Sequence, residues 1–268
     1  MPRAKSAASK KNSAASMSRQ RKKRRQRMEQ VFERPYLILP SVCGADGHLS
    51  LHSVFALFMD FASQHAQLLG NGPAAMAGRD LFWLTVKTQI RFFELPRMME
   101  TVTARTWPEA PGKVRCDRSY QLLRGGQILA AGKTEWAVLN TKTGQLAPLA
   151  DVYPAGLSFT EPSACPGPYA RIVDTVDGWT QRGDYTVRST DIDLGGHMNN
   201  AAYVRALLGS FSNAELGTLA IRQMDVIFRT PCYEGETLSI EQRPAAGGME
   251  LRLTKPEGTA LLVQIKSE

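Results

Sequence analysis

Several protein classes are excluded by what this chain does not contain. No stretch approaches the ~20 consecutive apolar residues that a membrane-crossing helix needs, so no membrane span is expected. The four cysteines, Cys43, Cys116, Cys165 and Cys232, form no CxxC pair, and no Cys/His cluster stands at metal-ligand spacing. Neither a metal nor a cofactor is expected, and the thiols read as reduced, in a cytoplasmic protein. The basic start is not followed by the apolar segment that a secretory signal peptide requires.

Acidic residues are absent from positions 1–27, which hold eleven Lys/Arg. The formal charge of +8 over 268 residues therefore comes from the tail. Residues 28–268 keep 22 basic against 25 acidic side chains, a net of −3. A fold that reads nucleic acid through its surface carries a basic body, so nucleic acid is not the expected partner. The tail is Ala, Ser, Lys, Arg and Gln with little to bury, and is expected to be disordered. Three readings of it stay open: a segment for an acidic surface or nucleic acid, an organellar transit peptide, or upstream sequence before a true start at Met28.

An internal repeat organises the rest. Residues 44–55 read GADGHLSLHSVF and residues 193–204 read DLGGHMNNAAYV, with His48 and His197 in matching places. Each is a Gly-His turn, then a polar residue suited to cap a helix (Ser50, Asn199 or Asn200), then an apolar helical run. The first helix carries Leu51, Val54, Phe55, Leu57, Phe58, Phe61 and Ala62 around most of its circumference, the mark of a buried helix. The second is expected over 200–211. After each helix a strand runs toward a proline, Pro96 or Pro231, and alternating segments follow: 101–107, 114–123 and 127–140, then 238–242, 249–255 and 259–266. Helix then antiparallel meander, twice, predicts an α+β fold with a sheet wrapped around a helix in each half.

The densest polar cluster is Ser189-Thr190-Asp191-Ile192-Asp193-Leu194-Gly195-Gly196-His197-Met198-Asn199-Asn200-Ala201-Ala202-Tyr203. It places two carboxylates, an imidazole and two amides in a turn that opens a helix. Free backbone N–H groups at a helix start can receive the charge that builds on a carbonyl oxygen. Asp193 and His197 supply a base and its partner for acyl transfer to water.

This segment resembles the Asp-x-Asn-x-His-x-Asn-Asn-x-x-Tyr motif of the acyl-[acyl-carrier-protein] thioesterases in their bacterial form. Phe82-Trp83-Leu84, Glu100 through Trp107, Thr134 through Leu139 and Lys142-Thr143 are similar to that family too, in family order, over residues 29–268. The resemblance implies a tandem double hotdog, each half a long central helix wrapped by an antiparallel β-sheet. Its parts would be a tail at 1–27, an N-terminal domain at 28–155, a linker at 156–178 and a C-terminal domain at 179–268. It also implies hydrolysis of the fatty acyl thioester of acyl carrier protein, in fatty acid biosynthesis, by a monomer or homodimer. Carried over by position, the catalytic pair is Asp193 and His197. Asn200 and Tyr203 match as helix-start and packing residues.

Two positions depart from the motif. Gly195 stands where the family has Asn, and Pro231-Cys232 stands where it has Glu in the second-half strand. Glu234 or Glu236 is a candidate replacement carboxylate and Cys232 a candidate nucleophile of lower rank. The wider hotdog thioesterases, including the 4-hydroxybenzoyl-CoA type, work with one Asp in this turn, which Asp193 matches, with Gly196 at the right spacing. An acyl-CoA thioesterase and a non-catalytic acyl-binding protein are therefore the alternatives. The first half, with Gly44 in the place of Asp193, reads as structural and as walls of an acyl pocket, which the loop Gly70–Gly78 would help to shape. Lys113, Arg115, Arg118 and Arg124 are the candidate basic surface for an acidic carrier protein.

Overall fold

The computed structural model describes residues 30–150 and 152–267. The basic tail and the start at Met28 lie outside these residues. The first half comprises β1 (Phe32–Leu37), α1 (Leu51–Leu68), α2 (Pro73–Ala77), β2 (Leu81–Phe92), β3 (Thr101–Pro108), β4 (Arg115–Arg124) and β5 (Gln127–Asn140). The second comprises β6 (Thr180–Thr186), α3 (Asn200–Leu208), α4 (Asn213–Thr218), β7 (Gln223–Phe228), β8 (Thr237–Ala245), β9 (Gly248–Lys255) and β10 (Gly258–Lys266). All the strands join one antiparallel sheet in the order β1-β3-β4-β5-β2-β7-β10-β9-β8-β6. Read inward from its own edge, each half repeats one order, β1-β3-β4-β5-β2 and β6-β8-β9-β10-β7. The two meet where β2 pairs with β7, from Lys87 opposite Ile227 to Arg91 opposite Gln223.

Alternation sets which face each strand buries. On β4, Cys116, Arg118, Tyr120 and Leu122 turn inward and are buried. The inward faces of both halves close on α1 and α3, which pack against each other in one core. A smaller apolar cluster of Met76, Leu81, Cys116, Val138, Leu149 and Val152 covers the far end of the first half. The segment Gly70–Gly78, expected as a loop, contains the short helix α2, and its Met76 is buried in this cluster.

The outer face of the sheet is crossed by the segment between β5 and β6. Pro162 accepts from the Trp107 indole (3.1 Å), the Tyr169 hydroxyl donates to Asp117 (2.8 Å), and the Ala170 N–H donates to buried Asp225 (3.1 Å). Trp179 then sits against the guanidinium groups of Arg243 and Arg252. Cys165, within this strap, is fully buried.

Three details differ from expectation. The second helix ends at Leu208, because Gly209 and Ser210 form its C-terminal turn, so it has 9 residues against 18 in α1. β6 carries the polar sequence TQRGDYT, typical of an exposed edge, and gives no hydrophobic alternation. Ser50 occupies the N-cap position of α1, but its hydroxyl bonds to the Val42 carbonyl and to Ser53 instead of capping.

One residue fixes the packing of the first half, Gly132, and one the structure around the motif turn, Asp191. Phe58 of α1 lies flat on Tyr120, ring centroids 4.8 Å apart, and a Cβ at Gly132 would come within 2.9 Å of Phe58 and 3.0 Å of the Gln89 carbonyl. Glycine is required there by close approach. Asp191, 1% exposed, accepts from the Arg188 N–H (2.8 Å), the Tyr185 hydroxyl (2.7 Å) and Arg205, while its own carbonyl accepts from the Asn199 N–H (2.8 Å). One buried carboxylate thus ties β6, the turn and α3 together.

Two outcomes follow for stability. Gly132→Ala lowers unfolding free energy by about 1–3 kcal/mol through overpacking, read from denaturant melts. Asp191→Asn costs about 3 kcal/mol by leaving Arg205 and its neighbours without their acceptor charge. Burial alone would raise the Asp191 pKa, but the hydrogen bonds from Arg188, Tyr185 and Arg205 outweigh it and hold it below the usual aspartate range. Its contribution is fully present above about pH 3.9 and is lost as pH falls through the lower folded value. The gap between wild type and Asp191→Asn therefore closes in acid melts, and a gap that widened toward low pH would overturn this account.

Candidate active site

The two repeat turns have the same backbone. In the second half the Asp193 N–H donates to the His197 carbonyl (3.0 Å) and the Gly196 N–H to the Asp193 carbonyl (3.0 Å). In the first half Gly44, Gly47 and His48 make the same two bonds, at 2.8 and 3.1 Å. Gly196 and Gly47 both adopt positive φ, +76° and +73°, which closes the turn and favours glycine. The carboxylate differs: the second turn carries Asp193 at its first position and Gly195 at its third, the first turn Gly44 and Asp46.

Asp193 and His197 meet over Gly195. Asp193 Oδ1 accepts the Gly195 N–H at 2.7 Å and lies 3.7 Å from His197 Nδ1. A Cβ on Gly195 would stand 2.9 Å from His197 Nε2, 3.0 Å from Asp193 Oδ1 and 3.0 Å from the Phe82 ring. The glycine that departs from the motif is therefore the floor on which imidazole, carboxylate and ring converge. Phe82 presents its ring nearly perpendicular to the imidazole, centroids 6.1 Å apart. Asp193 and His197 are about a quarter exposed (26% and 27%), and Leu194 at the tip of the turn is 98% exposed. A thioester presented from outside can reach both side chains.

The start of α3 completes the arrangement. Asn199, not Asn200, is the N-cap, its side chain accepting the Ala201 N–H at 2.8 Å. Asn200 is the first helical residue, and its amide donates to Thr85 Oγ1 on β2 at 2.7 Å. Among the described residues the backbone N–H groups of His197 and Asn200 have no acceptor. Both are donors available to an oxyanion at the positive end of a buried helix.

The remaining candidates separate from this pair. Cys232 is fully buried, its N–H donating to the Tyr203 hydroxyl (2.8 Å) and its carbonyl accepting the Met198 N–H (2.7 Å). Burial pushes its thiol pKa up, the opposite of what a nucleophilic cysteine needs. It acts with Tyr203 as a brace beneath the turn. Glu234 is exposed, and no hydrogen bond or ion pair joins it to Asp193 or His197. Glu236 is engaged with Lys255. His48 stands beside Asp46, Nδ1 to Oδ2 3.5 Å, and opposite Arg97 across an isolated bridge.

The four candidate basic residues are placed differently, with Lys113 exposed on the surface. Arg115 pairs with Glu135, Arg124 pairs with Glu94 and Glu100, and Arg118 is buried on the inward face of β4. Two surface cavities, of about 550 Å³ and 230 Å³, include none of Asp193, His197 or Asn200 in their linings. The sequence reading missed Phe82 and Thr85 as members of the site. Both come from the other half of the chain, and only the β2–β7 junction brings them there.

The comparisons with known proteins agree over both halves of the chain. Residues 29–157 match the family model for the acyl-ACP thioesterase N-terminal domain, and residues 177–261 match that for the C-terminal domain. The chain is 25% identical over 236 residues to a chloroplastic palmitoyl-acyl carrier protein thioesterase of Cuphea hookeriana, covering 81% of this chain and 56% of that protein. It is 24% identical over 256 residues to a chloroplastic dodecanoyl-[acyl-carrier-protein] hydrolase of Cinnamomum camphora, covering 89% and 67%. It spans about half the length of most of the curated relatives it matches. Among solved structures, an acyl-ACP thioesterase from Bacteroides thetaiotaomicron superposes with a TM-score of 0.78 at 20% identity, over 89% of this chain and 98% of that one. A 12:0-ACP thioesterase from Umbellularia californica gives 0.75 at 21%, over 88% and 96%. The fold is shared with these proteins, and the chain belongs to the acyl-ACP thioesterase family.

Proposed function

We propose that this protein hydrolyses the thioester of an acyl carrier protein to a free acid and the carrier thiol, through a site centred on Asp193. The supporting observation is the meeting of Asp193 and His197 over Gly195, beside two backbone N–H groups that lack acceptors. Asp193 activates water, or attacks the carbonyl carbon itself and is released by water in a second step. His197 orients Asp193 or the water. The Asn200 N–H, with that of His197, receives the negative charge on the carbonyl oxygen. The carrier thiolate leaves and takes a proton, so the net reaction consumes one water.

The repeated strand order and the paired helices support reading the fold as a tandem double hotdog, with domains at 28–155 and 179–268 joined by the linker 156–178. Its second central helix is the shorter. Two fused halves already supply the edge-to-edge pairing that separate copies would otherwise make, which suits a monomer or a simple homodimer. No described helix is long and apolar enough to cross a membrane, and a cytoplasmic enzyme that needs no cofactor fits this reading.

Turnover by the full chain on a series of acyl-carrier-protein thioesters is the test, with the same acyl groups on CoA to assign the carrier. Asp193→Asn is expected to lower kcat by about 10²–10⁴-fold, the range for loss of a general base, while Cys232→Ala keeps kcat/KM within about threefold. A Cys232→Ala enzyme as inactive as Asp193→Asn would sink the Asp-centred mechanism. Gly195→Ala is expected to cost roughly tenfold in kcat/KM with little change in Tm, because the new methyl must displace the imidazole or the carboxylate. Unchanged turnover in that variant would show that their approach over Gly195 is not needed.

A further inference from the structure

The interior of the first half holds a cation that no acid among the described residues answers. Arg118 is 5% exposed and donates to His65 Nδ1 (3.0 Å) and to Thr106 Oγ1 (3.3 Å), both acting as neutral acceptors. Among the described residues no carboxylate pairs with it: Asp117 lies on the opposite face of β4, bound to Tyr169, and Glu135 pairs with Arg115. A guanidinium cannot shed its proton, and a buried charge without a counter-charge is strongly unfavourable.

Two more donors close by are unsatisfied. Among the described residues, the Tyr120 hydroxyl, on a fully buried side chain, and the Trp136 indole N–H have no hydrogen-bond partner. Thr134 stands opposite Arg118 in the β4–β5 register, and Trp136 opposite Cys116. The Tyr120 phenol lies beside Trp136 and Thr134 and feels the Arg118 charge, although neither neighbour completes a hydrogen bond to it. Burial pushes its pKa up to about 12, so it remains a donor. The adjacent hydroxyls of Thr88 and Thr134 bond to each other (3.0 Å).

These polar side chains lie between the two apolar clusters, and the sheet register connects them to the candidate active site. Thr85 is the cross-strand partner of Trp136 and also the residue whose hydroxyl receives the Asn200 amide. From Thr85 to Arg118 is two strand spacings and two residues, about 12 Å. A plain hydrocarbon end placed there would leave the guanidinium and both donors unanswered. An oxygen anion answers all three, and charge-assisted bonds of this type are the strong ones.

Resting on the thioesterase reading, we propose that the substrate is an acyl chain tipped by a carboxylate, bound at its far end by Arg118, Tyr120 and Trp136. Arg118 supplies the charge, and Tyr120 and Trp136 supply the two neutral donors. The chain runs from Asp193 past Thr85 along the inward face of β2 and β5.

The test uses the full chain and matched probes: octanoyl and decanoyl carrier-protein thioesters, against chains of the same carbon count ending in a carboxylate. Non-hydrolysable cysteamine amides of the same four acyl groups, titrated by calorimetry, read binding separately from turnover. Wild type is expected to favour the carboxylate-tipped member at least tenfold in kcat/KM and in affinity. Tyr120→Phe removes only a hydroxyl that has no partner, so its Tm does not fall, yet the preference shrinks roughly tenfold. Arg118→Gln abolishes the preference. Equal or better use of the methyl-tipped chains by wild type, or a preference untouched by Tyr120→Phe and Arg118→Gln, overturns the proposal and leaves the thioesterase reading intact. Selective binding of the carboxylate-tipped amides without turnover of any thioester upholds the pocket and removes the hydrolase.

Discussion

The β2–β7 junction is the constraint on which the rest of the structure depends. Each half is a five-stranded sheet that would end in an open edge, with unpaired N–H and C=O groups along β2 or β7. Pairing those edges gives a continuous sheet, and the side chains reinforce it. Gln89 donates to Asp225 at 2.8 Å, and the same buried carboxylate also receives the Ala170 N–H from the strap on the outer face. The junction fixes where each half stands along the other. It therefore sets the second-half turn against the beginning of β2, where Phe82 packs on His197 and Thr85 holds Asn200. The site belongs to neither half alone.

The same junction explains why one turn became the candidate site and its twin did not. β2 has 12 residues and β7 has 6, so β2 runs beyond the shared register and reaches the second-half turn. The shorter β7 offers no matching extension to the turn at Gly44–His48. The carboxylate of that turn has moved to Asp46, where it folds back toward Gly44, and His48 sits beside Arg97. Identical backbone hydrogen bonds in both turns show that the loop geometry is inherited with the repeat. What differs is the residues the opposite half delivers, Phe82 to His197 and Thr85 to Asn200.

Much of this was legible in the sequence because the relevant signals are local. Alternation located β3, β4, β5, β8, β9 and β10 to within a residue or a few, and the Gly-His turns announced both helix starts. The helix end at Leu208 was readable only from Gly209-Ser210, a weak signal inside an apolar run. β6 was invisible because an edge strand exposed on both faces shows no hydrophobic period. Of the two carboxylates in the motif, sequence assigned Asp193 to the site but carried no signal for the buried role of Asp191. Asp191 is buried by three donors that converge from β6, the turn and α3, whereas Asp193 faces the turn's open side. Arg118 was misplaced among surface charges, although period two puts it on the face of Cys116, Tyr120 and Leu122. A charge overrode the alternation in that reading, and the structure restores it.

The buried guanidinium is also an argument about how this interior is organised. The second half fills its inward face with Leu238, Ile240, Leu251, Leu253, Leu261, Val263 and Ile265, a continuous apolar layer against α3. The first half interrupts the equivalent layer with Arg118, Thr88, Thr134 and His65, and splits its core into two clusters. Replacing such a polar group with a packed apolar side chain is often neutral or stabilising, so folding alone gives little reason to keep it. The interruption lies in the half whose β2 reaches the candidate active site and not in the half that only supplies the turn. The second half thus packs an apolar layer behind the turn that carries Asp193, and the first half keeps the polar interruption on the strands that run from Thr85.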